Sequence, residues 1–246
     1  MPVSTARDSR GVSRLTAQQN LAQLRLGDHA CLFYRNGHDE LAMTAAFFAI
    51  GLRRRERCLC VFDQPRIGRL RTALRAAGVA IDAAERDGRF IIKTDDAYLV
   101  DGQFDPEQMV RMLGQEVERA LDDRFRGLRA AGEMKWALGR TVDLNSFIAY
   151  EAMMNQFYPR NAAVGLCLYS LRAFPPDLLE RVLRAHPAAV HNGHLCMNKF
   201  FEPPHVTLSG KPGARAGWML DELRPGTRGD RPLKASLTGR TARAAR

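Results

Sequence analysis

The sequence predicts an α/β fold of three layers, with helices flanking a mostly parallel central sheet. Two observations carry this reading. Short apolar runs alternate with amphipathic helical stretches through the middle of the chain, the order that builds parallel sheets. With 246 residues, 46% of them hydrophobic, the chain also has enough apolar material for one substantial core and is too apolar for wholesale disorder. A single domain is expected over residues 27–205. It lies between an extension at 1–26 with one short helix and a basic, largely flexible tail at 206–246.

Each element follows from local signals. Ala30–Tyr34 reads as the first strand. Leu41, Ala45, Phe48 and Leu52 fall at helical spacing, giving a helix from about Asp39 to Arg53 with one apolar face. Arg57–Phe62 is a second buried strand. Pro65 then opens a helix that turns Ile67, Leu70 and Leu74 inward. Phe90–Lys93 is a short third strand, and 95–104 an irregular connector. Asp105-Pro106 has the form of an N-cap followed by proline at the first helical position, starting a helix to about Asp123. Gly127–Met134 is a fourth strand, Asp143–Phe157 a helix, Ala162–Tyr169 a further strand and Pro176–Ala185 another helix. The Asn-Gly within His191-Asn192-Gly193-His194 marks a tight hairpin. Five or six strands are expected in all.

The formal charge of +10 invites a nucleic-acid reading, yet its distribution weakens it. Residues 1–26 carry +3 and residues 206–246 carry +6, leaving +1 for 27–205. The body is close to neutral, so sequence-specific nucleic-acid binding is not expected, and the basic ends supply at most non-specific affinity. Apolar runs fall short of a membrane span. The N-terminus lacks the apolar stretch of a secretory signal. A cytoplasmic location is therefore expected, with the five cysteines as thiols.

Several constellations bear chemistry. In Gly27-Asp28-His29-Ala30-Cys31-Leu32-Phe33-Tyr34, strand alternation puts His29 and Cys31 on one face and Tyr34 on the other. A histidine and a thiol so placed suit a soft metal, or an apolar ligand with one polar group; they also suit a core cysteine beside a hydrogen-bonded histidine. Glu133, Met134 and Trp136 follow a predicted strand, where open α/β sheets bind ligands; a capping glutamate beside a core tryptophan fits equally. Cys58-x-Cys60 and His191-x-x-His194-x-Cys196 add further donors, but C-x-x-C and H-E-x-x-H spacings do not occur, so a structural zinc site is not expected.

After the first strand, Arg35-Asn36-Gly37-His38-Asp39-Glu40 stands where a phosphate loop belongs. It lacks Gly-Lys-Ser/Thr and places two acids where phosphate would sit. Nucleotide hydrolysis by that route is not expected, nor is a Gly-x-Ser-x-Gly nucleophile present. Arg53-Arg54-Arg55 with Arg57 reads as a solvated helix end that complements the dipole, with a phosphate or partner contact as the alternative.

These motifs, in this order, resemble the MEDS family, named for methanogen and methylotroph sensing and the regulator DcmR. The likeness rests on residues 27–34, on Phe47-Phe48-Ala49-Ile50-Gly51-Leu52, on Glu56-Arg57-Cys58-Leu59-Cys60-Val61 and on Leu128–Trp136. Tyr150-Glu151, Leu166-Cys167-Leu168-Tyr169 and His186-Pro187 complete it. The resemblance implies a sensory domain related to RecA/KaiC-like cores with a degenerate phosphate loop, recognising small hydrocarbon-like molecules. Carried over by position, its ligand-binding candidates are His29, Cys31, Tyr34, Glu133, Trp136 and Tyr169, with Cys167 and His186 behind them.

The resulting expectation is a non-catalytic small-molecule sensor that regulates a kinase, an anti-sigma factor or a transcription factor. Cofactors are unknown, no membrane partner is expected, and self-association is left open. The alternatives are a nucleotide-binding module without hydrolysis, with Arg35 or the Arg53–Arg57 run replacing the missing lysine, and a metal or haem sensor using His29 and Cys31.

Overall fold

The computed structural model describes residues 17–222 apart from 101, 140, 141, 210 and 212. Arg7, Arg10, Arg14 and the tail from 223 onward lie outside the described residues. In chain order the elements are α1 (Ala17–Leu21), β1 (His29–Tyr34), α2 (Gly37–Arg53), β2 (Arg57–Phe62), α3 (Gln64–Ala76), α4 (Ile81–Arg86) and β3 (Phe90–Thr94). There follow β4 (Leu99–Val100), β5 (Gln103–Phe104), α5 (Pro106–Asp122), β6 (Leu128–Glu133), α6 (Leu144–Phe157) and β7 (Ala163–Ser170). The last are α7 (Pro176–Arg184), β8 (Ala188–His191), β9 (His194–Met197), α8 (Pro204–Thr207) and α9 (Ala214–Glu222).

Seven strands form one sheet in the order β3-β2-β6-β7-β1-β8-β9, parallel except for β9. This is the expected α/β architecture, with seven strands in the sheet where five or six were expected, because β9 returns along β8. Asn192 and Gly193 both take positive φ, 49° and 77°, as the two-residue hairpin demands. The connector 95–104 contains a short 3₁₀ turn and the β4–β5 hairpin.

Alternation along the strands divides the interior in two. Ala30, Leu32, Cys58, Cys60 and Leu166 pack beneath α2, α3 and α4, whereas Cys31, Leu59, Val61, Cys167 and Tyr169 pack beneath α5, α6 and α7. Four helix starts are capped by side chains: Asn36, Asp63, Asp105 and Asp143 each accept a hydrogen bond from a first-turn amide, and Asp105 is the cap the sequence implies. Among the described residues no helix is long and apolar enough to cross a membrane, and all five cysteines are free thiols.

Two expectations need correction. Helix α2 buries far more than one face, with Met43, Phe47, Phe48 and Ile50 all in the core, because α1 and α3 flank it over the sheet. The arginine run is not simply solvated. Arg54 donates to the carbonyls of Ala22 and Leu24 at 2.7 and 2.8 Å, holding the chain after α1 against α2. Arg57 pairs with Asp123 at 2.8 Å. Leu21 and Leu24 belong to the core, and Ala214–Glu222 forms α9, tied to the body by Arg215–Glu202 at 2.7 Å.

Candidate functional site

The expected ligand residues separate into three places. His29 and Tyr169 share a buried polar cluster under α6. Tyr34 and Glu133 meet at the carboxyl ends of the strands on the opposite face. Trp136 stands apart from both: it stacks on Tyr98 at 4.3 Å with Phe104 at 4.8 Å, so neighbouring rings cover its flat face. Cys31 points toward α6, as its strand position requires, and donates weakly to the carbonyl of Ala188 at 3.6 Å.

The strand-end site arises where β1 and β6 finish. Tyr34 donates to Glu133 Oε1 at 2.7 Å across the end of β7, and Arg66 from the first turn of α3 lies 3.2 Å from that same oxygen. Arg66 also reaches Glu40 at 3.4 Å, and all four residues are at least nine-tenths buried. Two acids thus share one guanidinium. Burial raises the Glu40 carboxyl to about 7; Arg66 opposes the rise and Glu133 adds to it. Burial, with Glu133 beside it, also pushes the Tyr34 phenol up. Above this network opens a cleft of about 430 Å³ between the ends of β1 and β8, lined by Leu32, Phe33, Tyr34, Asn36, Glu40 and Met43 on the β1–α2 side. His191, Asn192 and Gly193 form its other rim.

The second cluster begins at the first residue of β1. His29 and Cys167 face α6 from neighbouring parallel strands, Glu151 descends from α6, and His186 follows α7. All four are buried, His186 and Glu151 completely. Glu151 Oε2 lies 3.4 Å from His29 Nε2, 3.2 Å from His186 Nε2 and 3.6 Å from Cys167 Sγ, and His29 Nε2 is 3.4 Å from Cys167 Sγ. Tyr169 donates to the other carboxylate oxygen at 2.5 Å. Against the cost of burial, His186 and His29 hold the Glu151 carboxyl well below the usual range. Burial, with His186 beside it, lowers the His29 imidazole. Tyr158 stacks on His29 at 5.0 Å, and Gly165 makes room for that ring, since a Cβ there would lie 2.2 Å from it.

The two sites differ in what they can accept. A void of about 20 Å³ touches Cys167, but its other walls include Leu59, Tyr98, Met109 and Tyr150 rather than His29, Glu151 or His186. The strand-end cleft has the volume of a small-molecule pocket.

Sequence reasoning missed Glu151, Glu40 and Arg66 as site residues. Glu151 and Asn155 are one helical turn apart and both address His29, so an acid–amide pair at i, i+4 on an otherwise apolar helix was the available signal. Arg66 sits beside the apolar Ile67 in the first turn of α3, where an arginine reads as surface.

The sequence model of the methanogen/methylotroph, DcmR sensory domain, MEDS, matches residues 28–187. The chain belongs to the MEDS family. The matched span opens one residue before His29 and closes one residue after His186, so both polar sites of this MEDS domain lie inside it. Membership makes it a sensory domain. No curated protein matches the chain at a significant level.

Proposed function

We propose that this MEDS domain is a non-catalytic sensor of a small molecule, received in the cleft at the carboxyl ends of β1 and β8. The observation that supports the reading most is the joining of an apolar wall (Leu32, Phe33, Met43) to a buried acid, Glu40, that shares Arg66 with Glu133. The cleft suits a molecule with an apolar body and one donating group, an alcohol or an amine rather than an anion. A charged network with one guanidinium between two acids has alternative pairings close in energy, and a ligand that favours one of them shifts the population, as a sensor requires. The rim residues Asn36 and Asn192 are the natural elements to carry that shift to a signalling or transcription partner in the cytoplasm.

A nucleotide-binding reading finds less support. Asp39 and Glu40 occupy the first turn of α2, where phosphate would need amides and a lysine. The test is a thermal-shift and calorimetric screen of the full chain with short-chain alcohols and alkylamines, alongside native mass spectrometry of the freshly purified protein. Binding of such a probe, lost or weakened at least tenfold in Glu40→Gln, is the expected result. Absence of binding across both series and of any co-purified mass, or tight binding of Mg-ATP instead, would overturn the proposal.

A further inference from the structure

The cluster under α6 turns four ligand-type atoms, two of them imidazole nitrogens, toward one another in the buried core. Each imidazole has its Nδ1 committed as a donor. His186 Nδ1 lies 2.8 Å from the carbonyl of Val182, which can only accept. His29 Nδ1 lies 2.8 Å from Asn155 Oδ1, and the orientation of that amide is fixed because its NH₂ donates to the carbonyls of Glu151 and Ala185. With each Nδ1 the donor, a neutral ring turns a lone pair on Nε2 toward the cluster. Both lone pairs face one carboxylate oxygen, Glu151 Oε2, at 3.2 and 3.4 Å, while the completely buried His186 Nε2 makes no hydrogen bond. Acceptors crowded in this way repel unless a proton or a metal ion sits among them, and a metal ion satisfies all of them at once.

We propose that His29 Nε2, His186 Nε2, Cys167 Sγ and Glu151 Oε2 are the four ligands of a divalent transition-metal site, with zinc as the metal its donors suit best. These four atoms lie within 4.8 Å of one another. Zinc binds nitrogen and oxygen at about 2.0–2.2 Å and thiolate at about 2.3 Å, so a tetrahedron of such arms has edges of roughly 3.3–3.8 Å. The four separations given above, 3.2 to 3.6 Å, lie close to four of the six edges, and the two from His186 Nε2 to His29 Nε2 and to Cys167 Sγ are no longer than 4.8 Å.

The surroundings are those of a metal centre. Each histidine donates its remote N–H to a fixed acceptor, which orients the ring and raises its basicity. Tyr169 engages the carboxylate oxygen that the metal would not use. One thiolate and one carboxylate neutralise a divalent ion, which leaves the dry interior without net charge. A route inward exists as well: a cleft of about 440 Å³ at the amino ends of β1 and β8 reaches His29 and Asn155 past Pro187, Met197 and Phe201. The site lies on the opposite face and at the opposite end of the sheet from the strand-end cleft, so it stands whether or not that cleft receives a small molecule.

The experiment uses the full chain, free of any histidine tag. Elemental analysis should find about one zinc per chain after purification. After chelation, added Co²⁺ should give the intense visible bands of a tetrahedral site and a thiolate-to-cobalt charge-transfer band in the near ultraviolet. Cys167→Ser should abolish the charge-transfer band, and Cys58→Ser, on the other face of the sheet, should keep it. X-ray absorption on the wild-type zinc protein should show one sulfur and three nitrogen or oxygen neighbours, a readout that needs no variant to fold. A chelated chain with unchanged far-ultraviolet circular dichroism that gives only the pale spectrum of hydrated Co²⁺ would overturn the proposal. So would an unaltered charge-transfer band in Cys167→Ser, or a zinc shell without sulfur; the cluster would then be a proton-sharing imidazole–carboxylate group.

Discussion

Replacing Glu40 with glutamine should remove a pH dependence of stability that this one carboxyl creates. The native state raises its proton affinity from an ordinary value of 4.5 to about 7 by burying it. The folded chain therefore binds this proton more tightly than the unfolded chain does. The stabilisation is complete below about pH 4.5 and is lost as pH rises through about 7. At 1.36 kcal/mol per pH unit, the window corresponds to about 3 kcal/mol. His29 works the other way, since a lowered imidazole makes the native state more stable as pH rises through the ordinary histidine range near 6.5. The useful quantity is thus the difference between wild type and Glu40→Gln, in which the His29 contribution cancels. Urea unfolding followed by tryptophan fluorescence should find the two proteins similar near about pH 5 and the variant more stable by about 3 kcal/mol near about pH 8. A difference that stays constant across that range would refute the reasoning, because Glu40 would then be ionised throughout and held by Arg66.

Two other substitutions probe the packing that positions these sites. Gly165→Ala places a methyl 2.2 Å from the Tyr158 ring and should cost about 1–3 kcal/mol in urea unfolding, while shifting the ring that stacks on His29; wild-type stability would show that Tyr158 moves freely. Glu56→Ala strands Arg129, a completely buried guanidinium held at 2.5 Å by Glu56 and lying over Phe47, and should cost roughly 3–5 kcal/mol. The double variant Glu56→Leu with Arg129→Met should recover most of that loss by thermal melting, since no buried charge remains.

The fold was legible in the sequence because its signals are local. The buried apolar run of Arg57–Phe62, the proline that opens α3 and the Asp105-Pro106 start of α5 each act within a few residues, and each appears where expected. Helix α4 went unseen because it is six residues long and Ala80 before it offers no side-chain cap. Strand β9 was only half visible: the Asn-Gly turn announced a hairpin, but four residues of mixed polarity did not announce membership of the main sheet. At the sites, alternation placed His29 and Cys31 on one face and Tyr34 on the other. It could not pair His29 with residues 122 to 157 positions away, nor show that Cys167 rather than Cys31 would stand beside it. Those contacts depend on which strands become neighbours and on the turn at which α6 crosses β7, quantities that no single segment encodes.

Strand β1 begins at His29 and ends at Tyr34, five steps or about 17 Å apart. Five is odd, and that parity sends one end of the strand to the α6 layer and the other to the α2 layer. Inserting one residue between them would turn the count even and direct both side chains to the same layer, breaking one assembly to keep the other. Deleting one would do the same. Flanked on both sides by parallel neighbours, β1 cannot slip by a single position without exchanging its two faces. The strand is therefore a ruler of fixed length and fixed handedness, and any message between its ends has to be carried by helices moving over it.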